Sequence, residues 1–509
     1  MGDAVLRDLL MQSSLAQGEK TAIRFLREGK AETEISYKKL DRDSNRMANY
    51  FLDLGVARGD RIIFYIQKSL AFVIAHLALQ KIGAIGIPVS TGLKQSEMRY
   101  LLEDTEANVV LSGPEQETIV KEIDPRITTV VIHTERPYQE LDFFRSSPDT
   151  VPQVEIKAED PSLIVYTSGT TGKPKGAILT QRNLVHDARN LIDIWEITES
   201  DVVCHALPLF HVHGLCFELH TALIAGAHVI MFDRFSAEEV IAVLAKRDGA
   251  DACTVFMAVP AIYTRLMDYM GGKKLDFHHM RLMTSGSAPL LAKDFHRIKD
   301  IFGKEPVERE GMSETGINFS NPLHGIKKPG SIGLPLPDLE VKIVDPESGS
   351  EVVPGQPGEV WLKSPSITPG YWRKPEETKK AFDNGWFKTG DLARVDEDGY
   401  YYLTDRIKHI IISGGENISP KEVENVINQI DGVAESSVVG VPDEQWGEKV
   451  VAAIVVKPGS NIAPHEIQAF CRSHLHDWKV PKKIHFMKEL PKNKLGEVLK
   501  EEVKKAVMQ

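Results

Sequence analysis

The chain has 509 residues, of which 42% are hydrophobic and 26% are charged, and its formal net charge is −11 at pH 7. This length exceeds what one hydrophobic core usually supports, so we expect two to four structural units in a soluble globular protein. The acidic balance argues against a broad basic surface for nucleic acid, and no block rich in lysine and arginine offsets it.

The N-terminus, MGDAVLRDLLMQSS, carries early acidic residues and no long apolar stretch, so we expect no signal peptide. The strongest apolar run, 71–89, is interrupted by Gln80 and Lys81 and is short for a membrane span. We predict that this run forms a buried helix followed by a strand, and that the protein has no integral membrane segment.

The cysteines form no CxxC pair and lack the spacing of zinc ligands. They are Cys204, Cys216, Cys253 and Cys471. We expect buried, reduced thiols, which suit a reducing compartment, and we predict a cytoplasmic location. The sequence leaves open whether the protein is a monomer or a homodimer.

Helical and strand-like patterns alternate along the first half of the chain. Residues 35–55 have the helical spacing and end at a glycine, and 60–67 read as a strand. The same order recurs in 94–113, and 251–270 form an apolar strand followed by a helix that starts at Pro260. This alternation predicts parallel sheets covered by helices, an α/β fold.

The pattern changes near Lys328, where short strands are separated by glycine, proline and aspartate turns. After Arg406 the chain returns to mixed helices and strands. We therefore predict a large N-terminal domain, 1–404, that contains a β-rich subdomain at about 328–404. A small α+β domain, 405–509, follows it.

A dense polar motif, YTSGTTGKPKG at 166–176, follows a strand-like run. Its glycines allow backbone N–H groups to approach an anion, and its hydroxyls and lysines add donors and positive charge. It does not match the GxxxxGK[ST] phosphate loop. The density of donors favours a polyphosphate site over a plain surface turn.

Three later motifs are weak when taken singly. Glu314 in GMSETG is suited to hold Mg²⁺, but the same sequence is also typical of an acidic residue in a solvent-exposed loop with no ligand. Asp391 in GWFKTGD is suited to a ribose diol, although an Asx turn is the plainer alternative. In the fourth motif, 405–417, Arg406 and Lys408 are suited to contact a phosphate or ribose, and two following glycines allow a ligand to approach the backbone. The plainer alternative is a charged strand edge followed by a hairpin.

In this order and spacing, the four motifs resemble the superfamily of acyl-CoA synthetases, peptide-synthetase adenylation domains and luciferases. The resemblance covers essentially the whole chain. It implies that the small C-terminal domain is mobile and swings between two half-reactions. It also implies three ligands: ATP, Mg²⁺ as the metal, and coenzyme A as co-substrate. The first step joins a carboxylic acid to AMP, and the second passes the acyl group to CoA.

The resemblance assigns roles to residues by position. It implies nucleotide-binding roles for Thr167, Ser168, Gly169, Thr170, Thr171, Gly172, Lys173, Lys175, Ser287, Ala288, Pro289, Glu310, Gly311, Met312, Ser313, Asp391 and Arg406. It implies catalytic or metal-binding roles for His211, Glu314 and Lys408, with Lys408 at the hinge between the domains. The CoA tunnel would be bordered by Ser413, Gly414, Gly415 and Glu416.

Two positions depart from the pattern of the superfamily. Glu497 stands where a lysine usually contacts the carboxylate and the α-phosphate, and its charge would repel both anions. Glu310 stands where a tyrosine commonly stacks on adenine. Either Lys494 or Lys500 takes over the lysine contact, or adenylation is slow while thioester formation is retained, or the chain is an altered variant.

Several stretches resemble malonyl-CoA synthetases within the superfamily, including HVHGL at 211–215 and SGSAP at 285–289. A second carboxylate on the substrate would need a cation, and Arg265 and Arg281 are the candidates, unless both pair with local acids. The apolar residues Val212, Ile317 and Phe319 would suit an alkyl chain instead. A fatty, an aromatic and a malonate-like acid therefore all stay open.

Three rival functions follow from the same motifs. A luciferase-type oxygenase shares the adenylation apparatus, although nothing in the sequence indicates oxygen chemistry. A stand-alone adenylating enzyme would load a carrier protein in place of CoA. A non-catalytic nucleotide or acyl-CoA binder is compatible with Glu310 and Glu497, but the other phosphate, metal and ribose positions favour an enzyme.

Overall fold

The computed structural model describes residues 4–167, 174–413, 416–443, 446–493 and 496–508, with the main chain only at Lys408 and Asn417. Two compact units divide the chain: Met1–Glu340 with Lys363–Phe387, and Val341–Leu362 with Lys388–Gln509. The β-rich segment predicted at 328–404 is shared between these units. The domain boundary expected near Asp405 stays a prediction.

The strands of the first unit, up to Pro335, follow in chain order: β1 Thr21–Arg27, β2 Lys30–Ser36, β3 Arg61–Tyr65, β4 Ile85–Pro88, β5 Val109–Ser112, β6 Thr128–Val131, β7 Pro161–Thr167, β8 Lys175–Thr180, β9 Val202–His205, β10 His228–Phe232, β11 Val255–Ala258, β12 Leu282–Ser285, β13 Val307–Met312, β14 Gly316–Ser320 and β15 Leu334–Pro335.

The helices of the same stretch are α1 Leu6–Gln17, α2 Tyr37–Asp53, α3 Leu70–Ile82, α4 Gln95–Thr105, α5 Pro114–Ile123, α6 Gln181–Trp195, α7 Thr221–Ile224, α8 Ala237–Leu244, α9 Pro260–Met270 and α10 Ala292–Phe302. A π-helical stretch, His213–His220, leads into α7.

Two sheets form the framework of the first unit. Six strands lie in the order β6-β5-β3-β4-β7-β8, and they are parallel except for β8, which runs antiparallel to β7. Nine strands lie in the order β15-β14-β13-β12-β11-β9-β10-β1-β2, with a parallel centre from β13 to β1. The α/β fold predicted from the alternating patterns is confirmed.

The apolar run 71–89 forms the predicted buried helix and strand. Ser69 caps the start of α3 by accepting from the Phe72 N–H, and every residue of the helix is buried. Gly83 ends the helix at φ 67°, a left-handed conformation that glycine adopts at little cost, and β4 follows. Among the described residues, no helix combines the length and the apolar character needed to cross a membrane.

Beyond Pro335 the elements are β16 Glu340–Val344, β17 Gly358–Lys363, α11 Pro375–Ala381, β18 Phe382–Asp383, β19 Trp386–Val395, β20 Tyr401–Arg406, β21 Ile411–Ser413, β22 Glu416–Ile418, α12 Pro420–Ile427, β23 Val433–Asp443, β24 Gly447–Val456, α13 Pro464–His474, β25 Lys483–Phe486 and α14 Lys500–Met508.

The C-terminal part of the second unit is built on the antiparallel pair of β23 and β24. Alternate residues of these strands face opposite sides, so each side can bury its own core. Val438 and Val450 pack with residues of α12 and α13, whereas Val439 and Val451 pack with α14. This arrangement accounts for the near-continuous apolar sequence of both strands.

Candidate functional site

Several candidate residues of the first unit lie at one edge of the nine-stranded sheet. Strands β9, β11, β12 and β13 are parallel, so their carboxyl ends lie together, where α/β proteins usually bind ligands. His211 and Val212 follow β9, and Ser287 follows β12. Glu310 and Gly311 belong to the last residues of β13.

The metal candidate lies beside the start of the phosphate segment. Thr167 is the last residue of β7, and Glu314 occupies the turn between β13 and β14. The Thr167 hydroxyl donates to Glu314 Oε1 over 3.1 Å, although 147 positions separate the two residues. The Thr368 N–H donates to the Glu314 carbonyl over 2.7 Å, which fixes the turn.

The phosphate segment is bounded by two paired strands. Thr167 and Lys175, which flank it, are partners across the antiparallel strands β7 and β8. Lys175 Nζ lies 3.9 Å from a carboxylate oxygen of Glu377 and 4.2 Å from the centre of the Tyr371 ring. The remaining predicted phosphate contacts lie outside the described residues: Ser168, Gly169, Thr170, Thr171, Gly172 and Lys173.

Ser287 adopts an uncommon backbone conformation at the end of β12. Its φ of 64° lies in the left-handed region, which non-glycine residues seldom occupy and which often marks a functional turn. Its Oγ lies 3.3 Å from Nδ1 of His213, in the π-helical stretch. The neighbouring Ala288 is half-buried, and Pro289 is exposed.

The predicted acyl-pocket residues differ in exposure. Val212, Ile317 and Phe319 are buried, and the first two belong to the main hydrophobic core. The Ile317 N–H donates to Asp187 over 2.9 Å. His211 is half-buried, with its ring 4.4 Å from that of Phe210. The buried positions support the strands more directly than they line an open pocket.

A buried arginine that was not singled out from the sequence lies next to these residues. Arg309, on β13, contacts His213 Nε2 through Nη2, and its guanidinium lies 5.7 Å from the centre of the Phe217 ring. Its Nε and Nη1 atoms are buried and donate no hydrogen bond to any described residue. Gly286 leaves room for the guanidinium, because a Cβ there would come within 2.7 Å of it.

The protonation states of this pair follow from burial. Burial lowers the pKa of Arg309 to about 10, so the guanidinium remains charged at neutral pH. Burial, aided by Arg309, holds the pKa of His213 well below its usual range, so the imidazole is neutral. A neutral imidazole accepts from Arg309 without cancelling its charge, which leaves a cation with unused donors at the sheet edge.

The two arginines named as substrate candidates are placed elsewhere. Arg281 immediately precedes β12, at the amino end of the strand, and its guanidinium binds both carboxylate oxygens of Asp201 at 2.6 and 2.7 Å. The prediction that Arg281 binds substrate is therefore wrong, because its charge is already paired at the opposite edge of the sheet. Arg265 is exposed on α9 and stacks 4.5 Å from the Phe235 ring centre.

A second buried polar group lies deeper in the first unit. Lys68 Nζ donates to the Leu207 carbonyl over 2.7 Å and lies 2.9 Å from His205 Nδ1. Both carboxylate oxygens of Glu218 are buried without a hydrogen bond to a described residue, and the nearest cation candidate is His205 Nε2 at 3.5 Å. Burial raises the pKa of Glu218 and lowers that of Lys68 to about 7.

The ribose candidates face each other within the second unit. Asp391 on β19 and Arg406 on β20 are paired across the antiparallel strands. Arg406 Nε lies 2.7 Å from Asp391 Oδ1, and the carboxylate is buried while the arginine is half-exposed. Both residues were named for one ligand, and the structure brings them into direct contact. Their binding of ribose remains a prediction.

The remaining candidates of the second unit are only partly described. Ser413 and Glu416 are paired at the end of the β21–β22 hairpin, with Ser413 buried and Glu416 exposed. Gly414 and Gly415 lie outside the described residues, as does the side chain of Lys408.

The two departures from the superfamily pattern occupy defined environments. Glu497 accepts from Asn493 Nδ2 over 2.5 Å and donates its N–H to Asn493 Oδ1, so its carboxylate is held on its own turn. Lys500 Nζ lies 2.5 Å from Glu424 Oε1 and 2.9 Å from the Val438 carbonyl. Lys500, one of the two lysines considered as replacements for the usual catalytic lysine, is thus already hydrogen-bonded elsewhere. Lys494 lies outside the described residues.

Glu310, the second departure, is half-buried on β13 and accepts from Asn318 Nδ2 over 3.1 Å. Beside it, Gly311, Met312 and Ser313 are also half-buried. The last residues of β13 are therefore partly exposed, whereas Glu314 in the following turn is buried.

Comparison with known proteins adds to this geometry. The AMP-binding enzyme family matches residues 11–372, and the C-terminal domain of AMP-binding enzymes matches residues 422–497. The mitochondrial malonate–CoA ligase of Bos taurus is 33% identical, over 92% of this chain and 86% of its own. A feruloyl-CoA synthase of an Amycolatopsis species is 34% identical, over 93% and 94%.

A solved structure shares the fold throughout. ATP-bound MatB from Rhodopseudomonas palustris superposes with a TM-score of 0.90 at 34% identity, covering 98% of both chains. These matches confirm the resemblance drawn from the four motifs and the predicted large and small domains. The chain therefore belongs to the AMP-binding enzyme family, among its AMP-forming acid–CoA ligases.

Proposed function

We propose that the protein converts a carboxylic acid, ATP and coenzyme A to acyl-CoA, AMP and diphosphate through an acyl-adenylate. The observation that carries this proposal is the contact between Thr167 and Glu314, which joins the phosphate segment to a lone acid. The family to which the chain belongs and the ATP bound by MatB support the choice of nucleotide.

The residues around Glu314 fit a magnesium ion. A hard cation takes oxygen ligands, and Glu314 has one carboxylate oxygen, Oε1, held by hydroxyl donors. No hydrogen bond from a described residue reaches its Oε2, which leaves that atom for the metal. Bound Mg²⁺ would neutralise the charge on the nucleotide phosphates as the carboxylate approaches.

Equilibrium binding and exchange of diphosphate into ATP test this function together. We expect wild-type protein to bind Mg-ATP and to exchange diphosphate when supplied with an acceptable acid. Glu314→Gln should weaken Mg-ATP binding at least tenfold, since a neutral amide is a poor magnesium ligand. Glu32→Gln, which alters an ion pair with Arg27 away from the site, is the matched control. Wild-type protein that does not bind Mg-ATP would refute the assignment.

The acid that we propose is a short dicarboxylic acid of the malonate type. The support is Arg309, a buried cation with two unused donors next to Ser287 and His213. A planar guanidinium can bind a carboxylate in two places, and two nitrogens of Arg309 have no hydrogen-bond partner among the described residues. The malonate–CoA ligases among the relatives agree with this choice. A feruloyl-CoA synthase has a similar sequence identity to this chain, so sequence identity near one third does not by itself identify the acid.

A panel of acids tests the substrate. Malonate should support diphosphate exchange at least about 100-fold better than butyrate or ferulate, because only malonate brings a second anion to Arg309. Equal use of butyrate would refute the dicarboxylate proposal and leave the ligase proposal intact. Comparing CoA with a phosphopantetheinylated carrier protein as acceptor distinguishes the ligase from a carrier-loading enzyme.

A further inference from the structure

The segment 368–374 lies along the hairpin that holds the phosphate turn. The Ile178 N–H donates to the Gly370 carbonyl over 3.1 Å, and the Trp372 N–H donates to the Gly176 carbonyl over 2.8 Å. Ala177 and Tyr371 form an antiparallel bridge between these bonds. The segment is thus attached to β8 by its backbone, immediately after the phosphate turn ends.

Asp104 fixes the same segment to the other side of the hairpin. Its Oδ1 accepts from Lys374 Nζ and its Oδ2 from the Tyr166 hydroxyl, both at 2.6 Å. Tyr166 directly precedes Thr167 on β7. Both strands that lead into the phosphate turn are therefore connected to residues 371–374.

Tyr371 is the member of this segment that contacts two candidate site residues. Its hydroxyl donates to Glu314 Oε1 over 3.2 Å, and the face of its ring lies 4.2 Å from Lys175 Nζ. The side chain is buried. A carboxylate oxygen can only accept, so the Tyr371 hydroxyl is the donor in this contact.

These two contacts have different effects. Glu314 Oε1 accepts from both Thr167 and Tyr371, which fixes the rotation of the carboxylate and leaves Oε2 as the atom for a metal. Lys175 rests on an aromatic face, and its nearest carboxylate is 3.9 Å away. A cation–π contact holds an ammonium group without neutralising it, so the charge remains available to a phosphate.

We infer that Tyr371 is a positioning residue that holds the magnesium-binding carboxylate of Glu314 and the phosphate-binding ammonium of Lys175 in a fixed relation. This inference rests on the proposed function. It assigns separate tasks to the hydroxyl, which orients the metal ligand, and to the ring, which supports the lysine.

Two substitutions separate the tasks. Tyr371→Phe removes the hydroxyl and keeps the ring, whereas Tyr371→Leu removes both. The measurement is the affinity for ATP over a series of Mg²⁺ concentrations, including none, in the absence of acid. We expect Tyr371→Phe to raise the Mg²⁺ concentration at half-maximal binding about tenfold, the effect of losing one hydrogen bond to a charged group.

The affinity for metal-free ATP distinguishes the second task. It should be unchanged in Tyr371→Phe and about three- to tenfold weaker in Tyr371→Leu, because only the latter lets Lys175 leave its place. Tyr138→Phe is the matched control, since it removes another buried tyrosine hydroxyl that donates to a carboxylate, that of Asp43 at 2.6 Å. The control should change the melting temperature without moving the Mg²⁺ midpoint.

The outcomes are distinguishable. If wild-type protein binds no Mg-ATP, the proposed function fails and this inference fails with it. If wild-type protein binds Mg-ATP and Tyr371→Phe follows the same Mg²⁺ curve, only the inference is overturned. An equal loss of metal-free ATP affinity in both variants would also overturn it, because the hydroxyl and the ring would then share one structural role.

Discussion

Arg309 is a buried cation, two of whose nitrogens have no hydrogen-bond partner among the described residues. Such a group costs stability in the free protein, and under the proposed function it would gain a partner when the second carboxylate of the substrate binds. We predict that Arg309→Met lowers kcat/KM for malonate at least about 30-fold, because a buried charge partner is worth about 2 to 5 kcal/mol. The melting temperature of the free protein should stay equal or rise.

The same change at Arg265 decides between the two arginines. Arg265 is exposed and stacks on Phe235, so Arg265→Met should leave malonate kinetics within about twofold. Kinetics over the acid panel and a thermal melt of each variant give the comparison. A loss of malonate activity at Arg265 but not at Arg309 would contradict the assignment.

Glu497 is the residue from which we expect a gain of activity. Its carboxylate is bound by Asn493 on its own turn, and its negative charge opposes the meeting of two anions. Glu497→Lys should raise the rate of diphosphate exchange at least about tenfold. Thioester formation from supplied acyl-adenylate should change less, because in that step a thiol attacks the acyl carbonyl and no free carboxylate has to approach a phosphate.

Glu497→Gln separates the charge from the lysine contact. If repulsion alone limits the first step, the glutamine variant should recover most of the gain. If the exchange rate stays at the wild-type level in both variants, the interpretation of Glu497 as an impairment is wrong.

Among the elements, the π-helical stretch and α3 share an unusual buried contact. His76 Nε2 and His220 Nε2 lie 2.7 Å apart, and their rings stack with centroids at 5.0 Å. One ring must donate and the other accept, so at least the accepting ring must be neutral. Burial lowers the pKa of His76 to about 3 and holds that of His220 well below its usual range.

This pair predicts a loss of stability in acid. Below pH 6.5 these two histidines bind protons in the unfolded chain but stay neutral in the folded protein. The free energy of unfolding therefore falls as the pH falls towards 3. The loss at pH 5 from His76 should be about 2 kcal/mol, and His220 should add to it in the same direction. Urea unfolding at pH 7 and pH 5, for wild-type protein and for His76→Leu with His220→Leu, measures it. An identical pH dependence in both proteins would contradict the prediction.

The sequence predicted elements better than the directions of side chains. The helix and strand in the run 71–89 were predicted correctly, because the run is apolar over its length and contains Gly83, at which the helix ends. Arg309 was not identified from the sequence because the charged triplet Glu308-Arg309-Glu310 is typical of a solvent-exposed surface. In the structure the first three residues of β13, including Arg309, are buried. Arg281 was misplaced because residue type does not tell which end of a strand faces the ligand.

Tyr371 was missed for a different reason. Its segment, 368–374, contains one glycine and two adjacent basic residues, which match no phosphate or metal motif, and its partners Glu314 and Lys175 are distant in the chain. Only the folded sheet brings them together. By contrast, the Thr167–Glu314 contact was anticipated because each motif carries a recognisable chemistry of its own.

At the scale of the whole molecule, the four cysteines are free and buried. Burial raises the pKa of Cys204, Cys216 and Cys471, the last to about 11, so their thiolates are scarce at neutral pH. We predict that native protein reacts with fewer than about one equivalent of a thiol-specific aromatic disulfide, and that unfolded protein reacts with four.

The rate of labelling then reports opening of the structure, and Mg-ATP should slow it by stabilising the folded state. Rapid labelling of native protein would contradict the burial of the thiols.

The hairpin of β7 and β8 has a consequence for engineering. Because Thr167 and Lys175 are paired in register, the two strands fix the distance between the points to which the intervening residues are joined. Replacing these residues by a segment of equal length from a relative therefore keeps both anchor points in place. We expect such an exchange to alter nucleotide binding while the pairing of β7 with β8 is kept.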